Sequence, residues 1–299
     1  GMKDTHELSE YFLENITEML SKKGVKTSGW QEVALHHSPE MNARIAPRFA
    51  GVYCWSTIGK RDIVPYTVAN EGYDVILCNV NNLYIDLAYN PHKDEPGLTW
   101  GGYVNEFTSF NILPYNIYCS ARENTAGEKN NLKTAGKGKI QLTEQSRPRI
   151  KGVQAQLFSE TIGSFDMVQY YVFPKIFGLV ERGWNAYPEW SPVPNDDKQA
   201  LYEKARAIYN AKIAEIELPR LAADGFNFRV AQPGIKIVEG KLYANSPIPQ
   251  AEIRYTTDGS EPAATSTLWE APVDCSATVV KAKLFYLGKE SHTTDYKND

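Results

Sequence analysis

Six residues combine the two side-chain chemistries that a sugar or flat ligand needs. Trp30, Trp55 and Phe158 offer aromatic faces, Tyr84 a phenol, and Asp86 and Glu160 carboxylates. Indole and phenyl faces match the apolar C–H face of a pyranose, and carboxylates accept strong hydrogen bonds from hydroxyl groups. All six fall at or just beyond the C-terminal ends of segments that read as strands. In βα architectures ligands bind at those ends. Each residue also has a plain structural reading, Trp30 and Trp55 as core and Asp86 and Glu160 as helix caps. It is their convergence on one mouth that points to a pocket. Other chemistries are poorly supplied. Cys54, Cys78, Cys119 and Cys275 lie far apart with no Cys-x-x-Cys and no histidine at ligand spacing, so free buried thiols are expected, with no metal site and no cofactor. The only Asp-Glu dipeptide, Asp94-Glu95, sits between Pro91 and Pro96 in a long loop, whereas a general acid needs a rigid scaffold.

The elements that must position these residues are legible from local pattern. Asp4 and Glu7 form a capping box for a helix on which Leu8, Phe12, Ile16 and Leu20 recur at helical spacing, and Gly24 ends it. Strands are predicted over 26–32, 51–55, 74–79 and 152–158. The continuous apolar run Val75-Ile76-Leu77-Cys78 fits a parallel sheet covered on both faces. Residues 90–150 are too long for a plain connection and read as a lid or binding loop. Pro174 opens a helix over 175–184. A second helix over 196–217 carries Leu201, Ile208 and Ile216 on one face, and Pro219 should kink or stop it. Beyond Gly225 the period changes to two, in 235–238, 252–256 and 279–285, with Asp258-Gly259 as a hairpin signal. This predicts two domains, an α/β domain over 1–231 and an antiparallel β-sandwich over 232–299.

Composition narrows the partners. Lys+Arg 32 against Asp+Glu 36, without a basic block, leaves no footprint for nucleic acid. No run approaches a membrane span, and the charged first twenty residues do not read as a signal-peptide apolar region, so no address is expected within the chain as given. Gly1 before Met2 reads as a residue left by an expression tag.

In order along the chain, Gly29-Trp30-Gln31-Glu32, Tyr53-Cys54-Trp55, Leu83-Tyr84-Ile85-Asp86-Leu87, Gly97-Leu98-Thr99-Trp100, the run from Gly152 to Thr161, and Phe173-Pro174-Lys175 with Val180-Glu181-Arg182-Gly183-Trp184 resemble the second half of the family 20 glycoside hydrolases, the β-N-acetylhexosaminidases. The run from Ile253 to Pro262 resembles the small C-terminal β domain of chitobiases and hexosaminidases. The resemblance implies an α/β fold that is a partial (half) TIM-type (β/α) barrel, strands five to eight, followed by the sandwich. It also implies a pocket for a terminal N-acetylglucosamine or N-acetylgalactosamine. By resemblance, Trp30 and Trp55 wall in the acetamido methyl group, and the catalytic role left to this chain is that of Tyr84, which orients the acetamide. Asp86 and Glu160 bind the 4- and 6-hydroxyls, and Trp100 stacks beside the leaving sugar. Phe158 stands where the family usually has Trp.

The family breaks its bond by substrate assistance, with a Glu as acid and a preceding Asp orienting the acetamide in a His-x-Gly-Gly-Asp-Glu motif. This chain has no such motif, and the arginine that holds the outer hydroxyls also belongs to the missing first half. The chain is therefore expected to be a hexosaminidase-like fragment, inactive alone. The alternatives are a non-catalytic carbohydrate-binding or interaction module, or a truncated product without independent function. The expected partner is an N-acetylhexosamine-containing glycan, with a homodimer covering the open half barrel. Family members mostly act outside the cytoplasm, in periplasmic, secreted or lysosomal settings. In the small domain, Trp269 and Tyr255 are too few and too strand-embedded for a sugar platform, which favours packing.

Overall fold

The computed structural model describes residues 3–124 and 126–297. Its helices are α1 (Thr5–Lys22), α2 (Pro39–Ile45), α3 (Val64–Asn70), α4 (Val80–Leu83), α5 (Glu106–Phe110), α6 (Phe165–Val172), α7 (Lys175–Trp184), α8 (Gln199–Lys212) and α9 (Leu218–Ala223). The chain divides into two compact units. The first comprises residues 1–90, 97–159 and 175–202, and the second residues 91–96, 160–174 and 203–299.

The first unit is built on a parallel sheet of β1 (Thr27–Trp30), β2 (Phe49–Cys54), β3 (Val75–Leu77) and β4 (Ile150–Val153), in that spatial order. Side chains alternate across a sheet, and here the alternation assigns two jobs. Val52, Cys54, Val75 and Leu77 point into a core completed by Ile45, Phe49, Val68 and Tyr73. Tyr53 and Ile76 point the other way, into a cluster with Cys78, Val80, Tyr84, Leu87 and Trp55. The sheet thus separates a structural core from an aromatic face.

Several local expectations need correction. The fourth strand ends at Val153, so Phe158 and Glu160 lie on the segment beyond it. Backbone pairing nonetheless continues through an isolated parallel bridge between Tyr84 and Gln156. Much of residues 90–150 is core and not lid, although Trp100 lies within it: Ile117 and Tyr118 pack into the sheet's core, and Tyr66 donates to the Pro114 carbonyl at 3.2 Å. The length of this segment reflects core it contributes. In α1 the expected apolar stripe is half exposed, with Leu8 and Phe12 outward, while Leu13 packs against the core and Thr17 is buried. Likewise Leu201, Ile208 and Ile216 are exposed, and Tyr202, Tyr209 and Ile213 are buried instead. A helix with apolar residues on two faces does not reveal by period which one packs. Nor does Pro219 stop the helix. A π-helical turn over Ile213–Glu217 precedes α9, and Pro219 falls in the first turn of α9, where its missing N–H is not needed.

The second unit contains two antiparallel sheets. One holds β5 (Gly234–Val238), β6 (Lys241–Asn245) and β9 (Val273–Asp274). The other holds β7 (Glu252–Thr256), β8 (Thr267–Leu268), β10 (Val279–Tyr286), β11 (Lys289–Glu290) and β12 (Thr294–Lys297). Asp258-Gly259 does not make a two-residue hairpin. Gly259 has φ 82° and the Asp258 carboxylate accepts from the Ser260 N–H at 2.9 Å, but the turn lies within the longer connection over 257–266. Tyr255 and Trp269 pack with Leu242 and Val280, and the Trp269 indole N–H donates to the Leu242 carbonyl at 3.2 Å. Both rings are thereby committed to the core.

Candidate functional site

Six of the seven predicted residues, Trp30, Trp55, Tyr84, Asp86, Trp100 and Phe158, meet with Tyr53 at the C-terminal ends of the parallel strands. The rings form a continuous path. Tyr53 and Trp30 lie 5.9 Å apart between centroids, Trp30 and Phe158 6.5 Å, and Phe158 and Tyr84 5.4 Å. Tyr84, Trp55 and Trp100 close on one another at 6.4, 6.1 and 5.9 Å. Buried aromatic cores hide all their faces, but here Trp30, Phe158 and Trp100 are 40%, 38% and 53% exposed. An exposed apolar rim around a buried phenol makes this cluster the candidate ligand site.

Trp55 and Tyr84 are placed by specific hydrogen bonds. Gln31 lies on the 3-10 turn after β1, and its side-chain oxygen accepts from the backbone N–H of both Trp55 and Ser56 at 3.0 Å. That fork joins the ends of β1 and β2. The neighbouring Glu32 accepts from the Trp55 indole N–H at 3.1 Å, which sets the ring's tilt. Tyr84 is held at the bridge to Gln156, whose carbonyl also accepts from the Ile85 N–H at 2.9 Å. Burial pushes the Tyr84 phenol well above its ordinary value, and Cys78, Asp86 and Glu32 add to the shift. The phenol therefore stays protonated and is able to donate. The Cys78 thiol, pushed up to about 12 by burial, is likewise inert as a nucleophile.

Asp86 is buried. Its neighbours are fixed by a residue ninety positions away: the fully buried Lys175, at the start of α7, donates from Nζ to the Ile85 carbonyl at 2.8 Å and to the Leu87 carbonyl at 2.6 Å. Lys175 also lies over the Tyr89 ring, 3.7 Å from its centroid. Gly97 also packs directly against this backbone. Its φ is +117°, and a Cβ there would stand 2.6 Å from the Ala88 nitrogen and 2.8 Å from the Asp86 carbonyl. Only glycine lets the loop bearing Trp100 lie against this backbone. Gly97→Ala is expected to cost about 1–3 kcal/mol, read as a lowered urea midpoint, with Trp100 fluorescence becoming easier to quench. An unchanged midpoint would show that the loop does not need this contact.

Glu160 is exposed and belongs to the second unit. Glu95 also lies in that unit, held by Arg229 and Tyr170. The Arg229 guanidinium donates to one Glu95 oxygen at 3.1 and 3.2 Å, and the Tyr170 hydroxyl donates to the other at 2.7 Å. Sequence reasoning missed the roles of Gln31, Glu32, Gly97 and Lys175. All four lie inside motifs that carry the family resemblance, but a motif does not say which atom a side chain holds. All four cysteines are free and buried, and no helix among the described residues is long and apolar enough to cross a membrane.

Comparison with known proteins gives this geometry a context. The family model described as glycosyl hydrolase family 20, catalytic domain, matches residues 1–187, and that of the chitobiase/beta-hexosaminidase C-terminal domain matches residues 217–292. The chain is 28% identical to N,N'-diacetylchitobiase of Vibrio harveyi over 275 residues, 86% of this chain and 30% of that protein. It is 24% identical to a beta-hexosaminidase of Porphyromonas gingivalis over 290 residues, 93% of this chain and again 30% of the relative. The chain therefore spans about 30% of the length of these relatives. Among solved structures, a family 20 exo beta-N-acetylglucosaminidase from Vibrio harveyi in complex with N-acetylglucosamine superposes with a TM-score of 0.50 at 22% identity. The superposition covers 77% of this chain and 28% of that one, a likeness of fold.

Proposed function

This chain belongs to glycosyl hydrolase family 20, and from that premise we propose that it supplies the sugar-recognising side of a β-N-acetylhexosaminidase site, binding a terminal N-acetylhexosamine without itself holding the general acid. The observation that carries this reading is the half-open aromatic path from Tyr53 to Trp100 around the protonated Tyr84 phenol, with Asp86 buried beside it. Trp30 and Trp55 would receive the acetamido methyl group against their faces. The Tyr84 hydroxyl would donate to the acetamido carbonyl oxygen, the atom that attacks the anomeric carbon in substrate-assisted hydrolysis. Asp86 and Glu160 would accept from the outer hydroxyls, and Phe158 and Trp100 would flank the ring and the leaving sugar.

The architecture that goes with this reading is half of a (β/α) barrel, its four parallel strands in consecutive order with β1 and β4 as edges, followed by a β-sandwich domain over 232–299. Unpaired edges recruit strands, and a second copy of the chain is the partner that would satisfy both by symmetry.

The test is ligand-observed NMR and calorimetry with N-acetylglucosamine and glucose. Weak binding of the N-acetyl sugar alone is expected, with a Kd above ~1 mM, because a monosaccharide buries little surface and only part of the polar shell is present. Asp86→Asn should weaken it about 10-fold or more through the loss of a charge-assisted hydrogen bond. A low-micromolar Kd lost in Glu160→Ala would replace this reading with that of a dedicated carbohydrate-binding module. Equal binding of glucose would refute the acetamido pocket.

A further inference from the structure

Away from the aromatic site, three side chains of the first unit converge at one point. His6 and Glu10 stand one turn apart on α1, and so share a face. His37 arrives from the segment after β1. A single oxygen of Glu10 lies 2.9 Å from His37 Nδ1 and 3.5 Å from His6 Nε2. The two imidazole rings stack at 6.1 Å with 18° between their planes, and the ligand atoms of all three residues lie within 4.8 Å of one another. The His37 side chain is nearly buried.

Its hydrogen bonding determines what Nδ1 must be. His37 Nε2 lies 3.1 Å from the Val33 carbonyl oxygen, which can only accept, so Nε2 carries a proton. That tautomer leaves the Nδ1 lone pair aimed at the Glu10 oxygen 2.9 Å away, and His6 Nε2 reaches the same oxygen at 3.5 Å. Two imidazole nitrogens and a carboxylate oxygen therefore converge on one point, where a single cation can take a lone pair from each. The Nε2–H to backbone carbonyl bond is also the outer-shell contact that orients metal-binding histidines.

We propose that His6, Glu10 and His37 form a binding site for a zinc-type divalent cation, with water completing the coordination. Two imidazoles and one carboxylate suit such an ion, and hard cations that demand oxygen ligands fit poorly. Ligand atoms in a tetrahedral zinc site stand ~3.3 Å apart, given metal–ligand bonds of ~2.0–2.1 Å. The 2.9 and 3.5 Å separations from the Glu10 oxygen lie on either side of that value, and the half-exposed His6 side chain has room to rotate into place. The bound ion would staple α1 to the segment that follows β1. Nothing in this depends on the sugar site.

The full chain, stripped with a chelator, is titrated with Zn²⁺ by calorimetry and with Co²⁺ by visible absorption. About one ion per chain is expected, with cobalt bands of nitrogen and oxygen ligation and no thiolate charge-transfer band, and a Tm that rises with added Zn²⁺. His6→Ala should weaken binding at least ~10-fold. Because His6 is half exposed, this variant is expected to keep its far-ultraviolet dichroism even if His37→Ala does not fold. Absence of binding at stoichiometric Zn²⁺, unchanged affinity in His6→Ala, a thiolate band, or Ca²⁺ binding as tightly as Zn²⁺ would each overturn the proposal and leave a His37–Glu10 ion pair.

Discussion

An aryl β-N-acetylglucosaminide incubated with the purified chain is expected to release its aglycone at least ~10²- to 10⁴-fold more slowly than with a family enzyme that carries its general acid. The chain contains no His-x-Gly-Gly-Asp-Glu motif, and its one Asp-Glu dipeptide is Asp94-Glu95. Both Glu95 oxygens are engaged, one by the Arg229 guanidinium and the other by the Tyr170 hydroxyl, in the second unit. A general acid must hold a proton and deliver it to a leaving oxygen. The Glu95 oxygens are taken up by three hydrogen bonds from these partners and are not placed to reach a leaving oxygen. Tyr84 does not replace it, because its phenol would be occupied with the acetamide and burial pushes its proton affinity up. A continuous assay with excess protein sets the limit. Turnover that Glu95→Gln abolishes would assign Glu95 as the acid and overturn this expectation.

Arg229→Met is expected to destabilise the second unit by about 3–5 kcal/mol. The Glu95 side chain is fully buried and that of Arg229 nearly so. Removing the guanidinium therefore leaves a carboxylate in the interior with the Tyr170 hydroxyl as its one remaining hydrogen-bond donor among the contacts described above. The cost is that of stranding a charge, which is larger than the worth of the pair itself. The double variant Arg229→Met/Glu95→Leu separates the two: removing both charges should restore most of the loss, since apolar replacements of buried pairs are often neutral. Urea unfolding of the wild type, both single variants and the double variant gives the coupling directly. Additive losses would show that the two side chains do not act as a pair.

The resemblance to family 20 was legible because it rests on short runs of residues whose order survives in the chain, and the catalytic-domain match over residues 1–187 agrees with it. The strands over 252–256 and 279–285 were equally legible, since a period of two is a local property. Helix boundaries followed from local signals too: Asp4 accepts from the Glu7 N–H at 2.9 Å, and α7 begins immediately after Pro174. The six candidate residues could be named from types and positions alone, and five of them do meet at the C-terminal ends of the parallel strands.

What only the tertiary structure decided depends on partners far apart in the chain. Lys175 acts on the carbonyls of Ile85 and Leu87, Arg229 on Glu95, and His37 on Glu10, and no period or motif encodes such a pairing. The apolar faces of α1 and α8 were misjudged for the same reason, because a period shows that a helix has an apolar face without showing which face meets a neighbour. The long segment over 90–150 reads as a lid or binding loop because it is too long for a plain connection. The burial of its apolar residues comes from the fold around them, as with Tyr118 against the sheet's core. Burial and long-range polar contact are set by where the chain returns in space, and that return is a property of the packed molecule.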